Sequence, residues 1–200
     1  MTRPFLIGLT GSIGMGKSTT AAMFAEFGIP VWDADAAVQR LYSKGGSAVL
    51  VIGALCPEAI RDGAVDRAVL KDWIRRDRHA LPRIEAAVHP LVAADRAAFV
   101  EAAARHGKKI VLLDIPLLFE TGAERSVNAA VVVSAPAALQ KARVLDRPGM
   151  TEADFQTMLD RQMPDAEKRR RADFVIDTTT MEAARQGVRT VIEEIGEGHA

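Results

Sequence analysis

Gly11 to Ser18 of the chain read GSIGMGKS, a match to G-x-x-x-x-G-K-[ST]. Glycines at these spacings let the backbone curl until successive N–H groups face a concavity suited to phosphate oxygens. A helix starting near Lys17 would add its positive dipole end and its unpaired N–H donors. Lys17 is then a movable point charge for the β- and γ-phosphates, and the Ser18 hydroxyl a ligand for Mg²⁺. A glycine turn that merely joins a strand to a helix would satisfy the same pattern. Context decides against it: the apolar run Phe5 to Leu9 enters the loop, and Met23, Phe24 and Phe27 leave it on one helical face that Gly28 ends. The loop from Gly11 to Thr19, with Gly11, Gly14, Met15, Gly16, Lys17, Ser18 and Thr19 as its contact residues, is expected to hold a nucleotide. The only asparagine, Asn128, is followed by alanine, so the guanine-reading Asn-Lys-x-Asp signature is absent and ATP is the expected nucleotide.

Working outward, Ile29 to Trp32, Lys109 to Asp114, Ala129 to Ser134 and Phe174 to Asp177 read as further short strands. Between the second and third, residues 36 to 107 read as helices joined by loops. Val69, Leu70, Trp73 and Ile74 form one apolar stripe there, and Ile84, Val88, Leu91 and Val92 another. His89-Pro90 reads as a bend or a helix start. Two helical stretches split near Arg147-Pro148-Gly149 precede the last strand. A closing helix turns Ala184, Val188, Val191, Ile192 and Ile195 inward. Strands alternating with helices predict an α/β fold with a parallel sheet covered on both faces. The expected organisation is a core of about residues 1–35, 108–138 and 172–200, an inserted helical substrate subdomain at about 36–107, and a lid at about 139–171.

Composition narrows the function classes. Lys plus Arg and Asp plus Glu number 26 each in 200 residues, so no whole-molecule basic field exists for nucleic acid or membrane. Cys56 is the single cysteine, which excludes a disulfide framework and fits a reducing compartment. The N-terminal apolar run is too short for a secretory signal, and no stretch approaches the roughly 20 apolar residues of a membrane span. The expectation is a soluble cytoplasmic protein, a monomer or a small homo-oligomer. His79, His89, His106 and His199 show no metal-ligand grouping, and Trp32 and Trp73 read as core.

Asp33 and Asp35 close the second strand, on the sheet edge where α/β proteins place ligands. A carboxylate there can accept a proton from an attacking hydroxyl or hold a metal-bound water; spacing alone slightly favours Asp35 as the N-cap of the next helix. Asp114 ends an apolar strand, the form of an element that orients Mg²⁺. Arg143 and Arg147, four apart, share a helical face. Lys168 to Arg171 read together as a solvated charged face.

GLTGSIGMGKST, VWDAD, HPL, DIPLLFETG and ADFVID, in this order and spacing, resemble the dephospho-CoA kinase family over nearly the whole chain. The resemblance implies transfer of the ATP γ-phosphoryl group to the ribose 3′-hydroxyl of dephospho-CoA, on a P-loop core with a helical CoA-binding domain and a lid. It implies Asp35 as general base, Lys17 as the phosphate-loop lysine and Arg143 as a lid arginine near the phosphates; Arg147 is expected beside the nucleotide, and Ser18 and Asp114 at Mg²⁺ from the readings above. Two positions depart from the family pattern. Ser12 replaces a usual glycine, and Thr178 replaces the usual asparagine after Asp177, which removes an expected adenine contact. The rival readings are a P-loop kinase for a nucleoside or nucleotide, and a nucleotide-dependent switch with slow hydrolysis and no acceptor.

Overall fold

The computed structural model describes residues 3–198; His199 lies outside them. Short continuous apolar runs build the sheet. β1 (Phe5–Thr10) pairs in parallel with β5 (Ile110–Asp114) on one side and β6 (Ala129–Ser134) on the other, and β6 pairs in parallel with β7 (Phe174–Asp177). β2 (Val31–Asp33) completes the order β2-β5-β1-β6-β7. The chain thus leaves β1 toward one edge and later returns to build the other, which makes the carboxyl end of β1 the topological switch point. Residues 11–18 occupy that position.

In β6, Val131 and Val133 join the core formed with Ile7, Leu9 and Leu112, under Phe24 of α1 (Lys17–Glu26) and Val188 and Val191 of α9 (Met181–Gly198). Their neighbours Ala130 and Val132 face the other way, onto Leu118 and Phe119. This period-two division is what a sheet covered on both faces requires. Phe27 departs from the expected apolar face. It caps α1, is 38% exposed and carries the Arg189 guanidinium 5.9 Å from its ring centroid. Gly28 ends the helix at φ +79°, as its position predicts.

Asp33–Ala102 form one compact unit, and the described residues on either side of it form another. Within Asp33–Ala102, α2 (Ala34–Tyr42), α3 (Ala48–Leu55), α4 (Arg67–Arg76) and the first part of α5 (Ala80–Arg105) enclose Ile52, Leu70, Ile84 and Val88. Two expectations are corrected here. The segment contains a hairpin, β3 (Ile60–Arg61) with β4 (Ala64–Val65). Its turn, Asp62-Gly63, has φ of 50° and 80°, both positive as a tight two-residue hairpin demands. Pro90 lies inside α5 and neither starts a helix nor ends one. Trp32 is core, whereas Trp73 is half-buried with Arg83 5.4 Å from its ring centroid.

After β5 and β6, α6 (Ala137–Leu145), α7 (Glu152–Leu159) and α8 (Asp165–Arg171) lead to β7. Arg147 falls beyond the end of α6, because the helix stops ahead of Pro148-Gly149; it shares no helical face with Arg143. The charged run in α8 is not uniformly solvated either. Lys168 is fully buried, and Arg171 lies 4.8 Å from the Phe119 ring centroid and donates to Glu124 at 2.6 Å.

Candidate active site

The glycines of the loop have distinct causes. A Cβ on Gly11 would stand 2.4 Å from a Val133 methyl, so the loop's closeness to β6 requires glycine. Gly14 has φ +78°, and a Cβ there would stand 2.5 Å from a Val144 methyl. Ser12, where a glycine is usual in the family it resembles, keeps a negative φ: Asp62 is the one described non-glycine residue with positive φ. Serine is therefore accommodated without strain.

Polar contacts from distant segments hold the loop. The Ile13 N–H donates to Gln162 Oε1 at 3.0 Å, and Gln140 Nε2 donates to the Ile13 carbonyl at 2.8 Å. The Met15 N–H donates to the Ser12 carbonyl, and the Met15 carbonyl accepts from Thr178 Oγ1 at 2.7 Å. Met15 Sδ, in the core, accepts from the Ala135 N–H at 3.1 Å. Met15, expected to touch the nucleotide, therefore has its main-chain groups and its side chain engaged within the protein. The N–H groups of Gly14, Gly16, Lys17, Ser18 and Thr19 have no protein acceptor among the described residues. They are the donors the loop can offer to an anion, reinforced by the α1 dipole.

At the carboxyl end of β5, Lys17 Nζ lies 2.5 Å from Asp114 Oδ1. Asp114 is almost wholly buried and Lys17 partly so, an arrangement that keeps both charges paired next to the loop. Ser18, in the first turn of α1, exposes its side chain. Mg²⁺ keeps several waters and takes only one or two protein ligands beside phosphate, so one hydroxyl and one carboxylate at the loop fit its chemistry.

Beside the loop, Gly14, Gly16, Thr19, Arg143, Arg147, Thr178 and Thr180 line a cavity of about 290 Å³. Arg143, expected to approach the γ-phosphate on a lid, lies here on α6. Its Nη2 donates to the Thr178 carbonyl at 2.7 Å, and its Nη1 is buried without a partner among the described residues. Arg147 lines the same cavity from the turn after α6.

Asp33, not Asp35, caps α2: its carboxylate accepts from the Ala36 N–H at 2.9 Å. Asp35 stands in the first turn of α2, two residues beyond the end of β2, and its exposed carboxylate makes no hydrogen bond or ion pair with the described residues. The capping role that competed for Asp35 is thus filled by its neighbour.

Glu120, in the stretch after β5, joins that stretch to α8. Its Oε1 accepts from the Met163 N–H at 2.8 Å and lies 2.9 Å from the Lys168 ammonium. Burial pushes the Glu120 carboxyl upward, but Lys168 and the Met163 N–H outweigh it and hold the group below the ordinary glutamate range. Gln140 and Gln162 escaped the reading of the sequence because isolated polar residues carry no periodic signal, and only their pairings with Ile13, far apart in sequence, reveal them; Lys168 was read as part of a solvated charged face, and its pairing with Glu120 corrects that.

A model of the dephospho-CoA kinase family matches residues 5–183. A relative named dephospho-CoA kinase from Cereibacter sphaeroides is 61% identical over 195 residues, covering 98% of each chain. A Thermus thermophilus protein of known crystal structure superposes with a TM-score of 0.83 at 35% identity, over 96% of this chain and 98% of its own. Dephospho-CoA kinase from Campylobacter jejuni shares the fold with a TM-score of 0.74 at 24% identity, over 98% of both chains. Matched along nearly its whole length in sequence and in fold, the chain belongs to the dephospho-CoA kinase family.

Proposed function

We propose that the protein transfers the γ-phosphoryl group of ATP to the ribose 3′-hydroxyl of dephospho-CoA, giving CoA and ADP in the last step of coenzyme A synthesis. The observation that carries this reading is the loop itself: a run of unpartnered N–H groups beside the Lys17–Asp114 pair, at the switch point of the sheet.

The Gly14, Gly16, Lys17, Ser18 and Thr19 N–H groups bind the ATP phosphates, and the cavity bounded by Arg143, Arg147 and Thr180 takes the remainder of the nucleotide. Arg143 offers its unpartnered Nη1 to that nucleotide. Lys17 exchanges Asp114 for phosphate oxygens as ATP enters. Ser18 and Asp114 would hold Mg²⁺, which supplies neutralisation of the phosphate charge when bound. Asp35 accepts the proton of the 3′-hydroxyl; its exposed carboxylate, free of the capping duty that Asp33 performs, supports that assignment. The compact unit Asp33–Ala102 recognises dephospho-CoA in this reading, and residues 139–171 act as the lid. Little covalent chemistry falls to the protein; orientation and charge stabilisation supply the rate. No helix among the described residues is long and apolar enough to cross a membrane, and we place the reaction in the cytoplasm.

The test is ADP release from Mg-ATP by purified protein, with and without dephospho-CoA, alongside nucleosides and nucleotides. Release that depends on dephospho-CoA and yields CoA is the expected result. Release with a nucleoside or nucleotide instead would keep the kinase chemistry and overturn the acceptor.

A further inference from the structure

We infer that Gln140 and Thr178 are positioning residues: they grip the loop's carbonyls from behind and so turn the Gly14 and Gly16 N–H groups toward the ligand. The inference rests on the reading of the loop as a phosphate cradle. Its physical basis is the planarity of the peptide unit, in which a trans C=O and the following N–H point in opposite directions. The described backbone contains no cis peptide. The Ile13 carbonyl is held by Gln140 Nε2 at 2.8 Å, so the N–H sharing that plane, that of Gly14, faces away from α6. The Met15 carbonyl is held by Thr178 Oγ1 at 2.7 Å, so the Gly16 N–H faces away from the end of β7. Neither N–H has a protein acceptor among the described residues. The alternation is thus set by two side chains, one per peptide plane.

Gln162 completes the frame. Its Oε1 takes the Ile13 N–H, which turns the Ser12 carbonyl to the opposite side, where it accepts from the Met15 N–H at 3.1 Å. Both gripping side chains are themselves fixed. Gln140 is 6% exposed, and Thr178 is 4% exposed with its hydroxyl shared with the Ser134 carbonyl at 3.1 Å. The hydroxyl proton of Thr178 therefore points into the protein. The side chain that departs from the family pattern after Asp177 bolts the loop to the sheet and donates nothing to the nucleotide. Gly14 and Gly16 have φ of 78° and 85°, values accessible to many arrangements of a glycine-rich loop, so an external hold is what selects one.

The experiment uses the full chain and four variants. Thr178→Val keeps the shape and removes the donor and Thr178→Ser keeps the donor, whereas Gln140→Met and Gln140→Glu both remove the donor on α6, the first without and the second with a change of charge. Kinetics with ATP and dephospho-CoA are paired with amide NMR during titration with the non-hydrolysable analogue adenylyl imidodiphosphate. In the wild type the Gly14 and Gly16 amide protons shift on analogue binding. Thr178→Val is expected to abolish the Gly16 shift selectively and Gln140→Met the Gly14 shift, each lowering kcat/KM for ATP about tenfold with the KM for dephospho-CoA unchanged. Thr178→Ser restores the rate to within about threefold. A purely structural role would lower Tm without moving one glycine signal apart from the other. Wild-type glycine amides that ignore the analogue, or Thr178→Val and Thr178→Ser behaving alike, would overturn the inference. Absence of turnover with dephospho-CoA would instead sink the acceptor assignment, while the analogue titration still decides the role of the two side chains.

Discussion

Lys168→Met isolates the energetic role of the buried ion pair. Lys168 is 0% exposed, its ammonium lies 2.9 Å from Glu120 Oε1, and Glu120 Oε2 is buried without a partner. Methionine preserves most of the stem volume and removes the charge, leaving the carboxylate with backbone N–H donors, that of Met163 among them. Breaking a buried pair from one side costs about 3–5 kcal/mol, because the surviving charge stays desolvated. For a protein of this size each kcal/mol moves Tm by about 2–4 °C, so the midpoint is expected to fall by about 6–20 °C. The assay is urea and thermal unfolding at pH 7 of four proteins: wild type, Lys168→Met, Glu120→Gln and the double variant. In the double variant the neutral amide still accepts from Met163, and most of the loss is recovered, to within about 1 kcal/mol of wild type. A single-variant loss below about 1 kcal/mol, the value of a surface pair, would refute the reasoning. So would a double variant no better than the single one.

Asp35→Asn is expected to lower kcat by roughly 10²–10⁴ with ATP affinity unchanged, measured by steady-state turnover and analogue binding; near-normal turnover would remove the general-base role. Lys17→Ala is expected to weaken nucleotide binding and turnover together, since it removes the charge that Asp114 now pairs and phosphate would claim; unchanged kinetics would remove the phosphate-loop assignment. Glu120 also predicts a pH dependence. Its folded pKa is depressed, so its stabilisation is full above the unfolded glutamate value of about 4.3 and is lost as pH falls through the lower folded value. Acid unfolding of Glu120→Gln is expected to be less steep in that window, and identical profiles for the two proteins would contradict the sign.

Most of the frame was legible because it rests on local signals. Ala129–Ser134 and Phe174–Asp177 were bounded correctly by apolar runs, and the loop by a motif whose flanks agreed with it. What escaped depends on contacts across the chain. The hairpin Ile60–Val65 carried an Asp-Gly turn signal, but its strands are two residues each, too short for alternation to register. Lys168 lay in a run of four basic residues, and sequence could not show that one of them turns onto Glu120. Spacing slightly favoured Asp35 as the cap of α2, and only the bond from the Ala36 N–H shows that Asp33 performs it. Thr178 was read by what the substitution removes, since its bond to Met15 spans nearly the entire chain.

The register of β1 has a consequence for how the protein is made. Phe5 pairs with Ile110, so the central strand finds its neighbour only after about a hundred further residues have been synthesised. The second neighbour, β6, comes later still. At ribosomal rates of roughly 5–20 residues per second, Phe5 to Thr10 waits on the order of 5–20 s with both edges unpaired. Asp33–Ala102, a contiguous stretch with its own apolar cluster, is made during that interval and can condense first. The segment that will hold ATP is thus among the earliest made and the last to acquire its shape.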